Sequence, residues 1–255
     1  MTLIISPITS IPDVKPGDHV AQLLIRGLTA QHISLIDNDI LVVTQKIISK
    51  SENRYVDLST VIPSEKAFEI AITSEKCPEL IELILQESKK ILRMTPQTII
   101  TEHNLGFISA NSGIDHSNVG RNEKTGENWV LLLPNDPDAS ANNIREFVKM
   151  ELGANIGVMI IDSHGRAWRY GTVGTMIGTA GVPAIVDLRG KKDLYGYQLK
   201  ITRVAAADEL AGTASLIMGQ ANEKIPAVHV RGFPYPLRCS SLKEVIRPEE
   251  EDLFR

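Results

Sequence analysis

The feature that most constrains this chain is its supply of short β-branched runs: ILVVT (40–44), TIIT (98–101), FISA (107–110), WVLLL (129–133), IGVMII (156–161), LKITRV (199–204) and PAVHVRG (226–232). Their length and composition predict strands. Three further stretches carry helical signals, one before the first run and two between runs. In PGDHVAQLLIRGL, Val20, Leu23, Leu24 and Leu28 share one face after a Pro16-Gly17-Asp18 turn. PELIELILQESKKIL begins with Pro78, tolerated in a first turn, and carries Lys89 and Lys90 near its expected end, where they suit the helix dipole. Asp138 is expected to cap ASANNIREFVKMEL, which stops at Gly153. Strands and helices follow no regular βαβ rhythm, so the prediction is α+β rather than a doubly wound sheet.

A chain of 255 residues can bury a sizeable core, as one large domain or two modest ones. Its 27 basic and 31 acidic side chains leave a formal charge of -4, too little field to gather nucleic acid or an anionic membrane, so any phosphate must be handled locally. Cys77 and Cys239 are too few for a disulfide framework and lack zinc-site spacing. The start MTLIISPITSIPD has no basic segment, and no apolar run approaches the ~20 residues that span a bilayer. These features predict a soluble cytoplasmic protein. The six histidines form no HxxxH or HxH pair, and the acidic tail RPEEEDLFR reads as a solvated surface segment.

Three segments carry groups suited to chemistry. NSGIDHSNVG sets Asp115 among Asn111, Ser112, Ser117 and Asn118 between two bending glycines. Hard divalent cations take one or two carboxylates plus neutral oxygens, phosphates and water, which Asp115 fits; the alternative is an Asx-turn that only caps local backbone. IGVMIIDSHGRAWRYG runs a strand into Asp162 and Ser163, then Arg166 and Arg169, whose forks suit phosphate or carboxylate; Trp168 between them reads as core or stacking scaffold. VVTQKIISK ends a strand at Thr44 and supplies Gln45, Lys46, Ser49 and Lys50, the lysines being either phosphate-directed point charges or solvated surface. GTVGTMIGTAG (171–181) and MGQANEK (218–224) look like nucleotide loops but match neither the P-loop nor the dinucleotide fingerprint, and turns or tight packing explain most such segments.

Together with IPDVKPGD, LLPNDPDASA, KDLYGYQLKITRVAAADELA and GQANEKIPAVHVRG, the motifs VVTQKIISK, SGIDHSNVGR and IIDSHGRAWRYG follow one family's order over nearly the whole chain. In them the sequence resembles the coenzyme F420-0:L-glutamate ligases, GTP-dependent γ-glutamyl ligases. The resemblance implies one ligase domain over residues 1–255, with any subdivision left open, and an α+β fold rich in antiparallel sheet that forms an intertwined homodimer. It implies a site for two divalent ions, manganese or magnesium, with a monovalent cation such as potassium as a further expectation. Asp115 resembles a ligand of one ion and Asp162 its partner, with Ser163 and Gln220 serving the second. Ile11, Pro12, Asp13, Val14, Gln45, Lys50 and Asn118, together with Met218, Gly219, Gln220, Ala221, Asn222, Glu223, Lys224 and Ile225, resemble the GTP contacts.

Gln45 stands where relatives carry a serine that contacts GTP, a departure at one nucleotide contact. The C-terminal flavin-binding domain fused to some relatives is missing from this sequence, so reductase activity is not expected. The implied substrates are F420-0, L-glutamate and GTP, with no nucleic acid or membrane partner, and the implied route runs through an acyl phosphate. Lys50, Arg166 and Arg169 are the candidate cationic helpers, and a second γ-linked glutamate can follow the first. No feature identifies the base, although His116 and His164 flank the two acids. Two rivals use the same residues: a metal-dependent nucleotide phosphohydrolase, and a nucleotide- or deazaflavin-binding protein without catalysis.

Overall fold

A computed structural model describes residues 2–120 and 128–253. Arg121, the last residue of SGIDHSNVGR, lies outside the described residues, as do Phe254 and Arg255 of the acidic tail. In chain order the elements are β1 (Ile4–Pro7), α1 (Val20–Ala30), β2 (Ile40–Thr44), α2 (Gln45–Ser51), β3 (Tyr55–Asp57), α3 (Glu65–Ser74), α4 (Pro78–Gln86), β4 (Ser88–Thr95), β5 (Thr98–His103), β6 (Ile108–Ala110), β7 (Trp129–Leu131), α5 (Pro137–Leu152), β8 (Gly157–Arg166), β9 (Arg169–Ala180), β10 (Val186–Asp187), β11 (Arg203–Val204), α6 (Ala206–Met218) and β12 (Ala227–Arg231).

The main sheet has the order β1-β12-β2-β8-β9, antiparallel except where β2 and β8 pair in parallel. Both central strands are buried on two faces, which explains their unbroken apolar runs. The period of two then sorts the side chains. Leu41, Val43, Val158 and Ile160 join Leu24 and Leu28 of α1 and Ile144 and Val148 of α5, while Ile40, Val42, Met159 and Ile161 join Leu210, Ala214 and Met218 of α6. Each such large side chain contributes about 1.5–3 kcal/mol by leaving water. A third cluster lies under α3 and α4, where Ile81 and Ile84 meet Ile99 of β5 and Val130 of β7. Smaller antiparallel sheets, β4-β5-β6 and β3-β7, bound that region. The fold is thus mixed α+β with mostly antiparallel sheets, as expected.

Several local expectations change. The helix from Pro78 ends at Gln86 rather than running past Lys90. Asn104 Nδ2 donates to the Gln86 carbonyl at 2.8 Å and Ser88 Oγ to that of Ile84 at 2.6 Å, which satisfies the terminal acceptors. Lys89 and Lys90 therefore sit on β4 beside Glu102, at 3.4 and 3.6 Å, instead of at a helix terminus. The cap of α5 is Asp136, which accepts the Ala139 N–H at 2.9 Å. Asp138 instead accepts the backbone N–H groups of Thr179 and Leu242, tying the helix start to β9 and the C-terminal segment. Of residues 199–204 only Arg203–Val204 is strand, and the run from Trp129 stops at Leu131.

The glycine-rich stretch 171–181 falls almost wholly within β9. A Cβ on Gly174 would lie 2.5 Å from the Ala211 carbonyl oxygen of α6, and one on Gly178 2.4 Å from Pro137 Cβ of α5. These glycines are four residues apart yet face helices on opposite sides of the sheet. The register shift between Ile160/Gly178 and Ile161/Met176 accounts for this, because one extra residue flips the alternation. Among the described residues no helix is long and apolar enough to cross a membrane.

Candidate active site

The parallel pairing sets Thr44 opposite Ile161, so β2 and β8 lead out of the core at the same edge. Ligands of sheets with parallel strands gather beyond such carboxyl ends. There α2 starts with Gln45 and Lys46, and β8 continues with Asp162 and Ser163.

Asp115 reaches this edge from another sheet region. Its backbone exchanges two 2.9 Å hydrogen bonds with Leu131. The preceding turn is fixed from below: Asn111 Oδ1 accepts the Ile99 N–H at 3.1 Å, and Ser112 Oγ, fully buried, donates to the Ile84 carbonyl at 3.1 Å. Gly113 has φ +65°, and a side chain there would meet Leu133 Cδ1 at 2.6 Å. The Asx-turn alternative for Asp115 does not describe this carboxylate. Its Oδ2 accepts from Gln45 Nε2 and pairs with the Lys46 ammonium. Gln45 is fully buried, and its Oε1 accepts from the equally buried Ser49 Oγ at 2.9 Å, which turns the amide nitrogen toward Asp115.

The two acids feel one another. Burial pushes the Asp115 carboxyl above the usual carboxylate range, the Lys46 charge opposes this, and the Asp162 charge adds to it. Burial also acts to raise Asp162, but the hydrogen bond and charge of His164, the Ser163 N–H and Lys46 together hold it below the usual range. His164 Nε2 lies 3.1 Å from Asp162 Oδ2, and its ring packs on Phe107 at 5.0 Å. Phe107 stacks on His103 in turn, at 5.1 Å and 9°. His116 is exposed.

The other site residues meet across long sequence separations. Ser163 Oγ donates to Gln220 Oε1 at 2.8 Å, and Gln220 Nε2 donates to Ser215 Oγ at 2.8 Å. Asn118 Nδ2 donates to the Ala221 carbonyl at 3.1 Å. Lys50, mostly buried, holds Asp13 Oδ1 at 3.0 Å. Val14 is buried against the α1 side of the sheet with Ile11 partly buried beside it, and Pro12 lies exposed between Ile11 and Asp13. Met218 ends α6, Gly219 takes φ +73°, and Glu223 accepts the Ala221 N–H at 2.8 Å, which closes the turn carrying Asn222 and Lys224 before Ile225 returns to the core. Arg166 and Arg169 pair across the tip of the β8–β9 hairpin, both exposed, beyond the Asp115–Asp162 region. Trp168 is not core: at 87% exposure and φ 65° it occupies the hairpin turn itself.

A family model described as F420-0:Gamma-glutamyl ligase matches residues 9–232. The chain belongs to that family. It is 42% identical over 250 residues to the coenzyme F420:L-glutamate ligase of Methanothermobacter thermautotrophicus, covering 97% of each chain. The protein of that name from Methanocaldococcus jannaschii is 42% identical over 245 residues, covering 96% of this chain and 94% of its own. The Methanopyrus kandleri protein is 39% identical over 258 residues, covering 100% and 98%.

For this member of the F420-0:gamma-glutamyl ligases, the donor chemistry suits hard divalent ions. Among the described residues no group of three or more His, Cys, Asp and Glu forms a cage. Oxygen is nevertheless abundant where Asp115 and Asp162 approach, with the Ser163–Gln220 pair on the same edge. The Lys46 ammonium pairs with the same Asp115 oxygen, which a divalent ion would have to share or take over. Two carboxylates plus neutral oxygens, completed by phosphates and water, match magnesium- or manganese-type sites. That Ser49 orients Gln45 is not a sequence reading. Its only signal is the i, i+4 spacing on α2, which places both side chains on one face.

Proposed function

We propose that this chain is a GTP-dependent ligase that joins L-glutamate to the lactyl carboxylate of coenzyme F420-0 and can add a further γ-linked glutamate. Family membership supports the ligase chemistry and the F420 and glutamate substrates. The observation that carries the finer reading is the meeting of two acids, Asp115 and Asp162, with the Asn118–Ala221, Ser163–Gln220 and Lys50–Asp13 contacts around one sheet edge.

A carboxylate resists amide formation because its charge repels a nucleophile and its leaving group would be oxide. In the proposed route the acceptor carboxylate oxygen attacks the GTP γ-phosphorus, and the β–γ bridging bond breaks to release GDP. The glutamate α-amine then attacks the resulting acyl phosphate carbon, phosphate leaves, and the amine gives up its extra proton. Phosphoryl transfer asks a protein mainly for positioning and charge neutralisation. Asp115 and Asp162, with Ser163 and Gln220, would hold two divalent ions, manganese or magnesium, which when bound neutralise phosphate charge. The 218–225 turn and residues 11–14 would hold the nucleotide. Lys50, on releasing Asp13, would meet phosphate oxygen and lower the barrier by about a few kcal/mol in a water-excluded site. Arg166 and Arg169 would act only if the hairpin folds over bound substrate.

We also propose a homodimer. Trp168 and Tyr170 on the β8–β9 hairpin, with Leu194, Tyr195 and Ile201 between β10 and β11, are 87–105% exposed, and large exposed apolar patches mark interaction surfaces.

The test is a mass spectrum of products formed from F420-0, glutamate and GTP with manganese or magnesium. Glutamate-lengthened cofactor together with GDP supports the reading. GTP loss that ignores acceptor and glutamate would instead make the protein a phosphohydrolase, and binding without turnover a carrier.

A further inference from the structure

A cleft of about 210 Å³ opens beside Asp162, and His164 forms part of its wall. Phe107, Met176 and Ile246 supply apolar surface. Besides His164, three charged groups line it: Asp208, Arg247 and Asp252. Asp208, in the first turn of α6, is half-buried; burial raises its carboxyl, while the Met176 N–H, which it accepts at 2.9 Å, and the charge of His164 oppose this. Arg247 is exposed at the rim, on the same lining as Asp252.

We propose that this cleft is the binding site for the incoming amino acid, with the ammonium group toward Asp208 and a carboxylate held by the Arg247 guanidinium. The proposal rests on the ligase reading above and assigns one of its substrates a place. Size selects among the three: the cleft falls below the ~300 Å³ at which pockets begin to hold drug-sized ligands, so it suits an amino acid and excludes a tricyclic deazaflavin or a nucleotide. Charge selects next. A half-buried acid, Asp208, and an exposed guanidinium, Arg247, with Asp252 also on the lining, match a molecule with an amine at one end and a carboxylate at the other, and the planar fork suits carboxylate in two parallel hydrogen bonds. Phe107, Met176 and Ile246 between them would pack on methylene groups. Position selects last, because an amine held at Asp208 lies on the His164 side of the cleft, next to the acid pair where the acyl phosphate would form.

The experiment measures initial rates of the full-length protein while glutamate, GTP and F420-0 are varied in turn. For Arg247→Gln, KM for glutamate is expected to rise by about tenfold or more, with KM for GTP and F420-0 unchanged and kcat at saturating glutamate largely kept, the signature of lost ground-state binding. The same variant should lose the preference for glutamate over glutamine, and Arg247→Lys should restore part of it. An unchanged glutamate KM, or a rise in the F420-0 KM instead, would overturn the assignment. Absence of glutamate addition by the unmodified protein would count against the ligase reading itself, and direct titration of glutamate into the protein then decides the cleft: heat of binding abolished by Arg247→Gln supports it, and no binding rejects it.

Discussion

Gln45 Nε2 donates to Asp115 Oδ2 from a fully buried position, and Ser49 Oγ locks the amide by donating to Gln45 Oε1. Two residues thus fix the direction of one carboxylate. Gln45→Leu is expected to weaken manganese binding by about 10–100-fold, the usual cost of removing a residue that orients a metal ligand, while the α2 helix stays folded. Manganese titration followed by electron paramagnetic resonance checks this without any turnover. Unaltered affinity would mean that Asp115 needs no such support.

Asp162 has the opposite electrostatic setting, held ionised by His164. Asp162→Asn should leave the circular dichroism spectrum unchanged, abolish product formation to below about one per cent, and weaken manganese binding. Retention of normal turnover would show that the acid pair does not hold the ions.

His103 makes stability depend on pH. Burial first, then the charges of His164 and Arg54, push it down to about 4 from an ordinary 6.5. Between those values the unfolded chain binds a proton that the folded one refuses. Stability is therefore full above the unfolded value, falls as pH drops through the window, and levels off below about 4, a total loss of about 3 kcal/mol. Urea titrations across that window should give a flatter profile for His103→Gln than for the unmodified protein, and equal slopes would point to other groups.

Gly178 touches α5 so closely that a methyl group there must displace the Pro137 backbone. Gly178→Ala is expected to lower unfolding free energy by about 1–3 kcal/mol, the cost of overpacking against backbone. Chemical denaturation gives the answer directly, and a neutral result would mean that the helix start can retreat.

If the exposed rings cover one another between two copies, Leu194→Ser combined with Tyr195→Ser should yield a monomer in light scattering. A monomeric unmodified protein, or a double variant that stays dimeric, would remove this surface from the interface.

The sequence made the main sheet readable because buried central strands announce themselves as unbroken β-branched runs, as ILVVT and IGVMII do. What it hid depends on partners far along the chain. Residues 88–92 continue an apolar helical pattern, yet pairing with β5 and the cap from Asn104 turn them into strand. Glycines 174 and 178 look like loop material until two helices are packed against them. At the site, the acids and their surrounding polar residues stood out as loops beside strands, and the structure brings Asp115 and Asp162 within electrostatic reach. Gln45 was legible as a polar group after the strand and as a nucleotide contact that departs from relatives. Its link to Asp115 spans 70 positions, and no local spacing reveals it.

Because β2 pairs in parallel with β8, Ile40 must wait for Gly157 before the centre of the sheet can form. Closing so long a loop is entropically unfavourable and makes folding slow. During synthesis the first half of the chain therefore leaves the ribosome with Gln45 and Lys46 facing an unfinished edge, and the acid pair comes together only after the second half has emerged. A truncated or stalled chain would have neither the acid pair nor the edge that carries it.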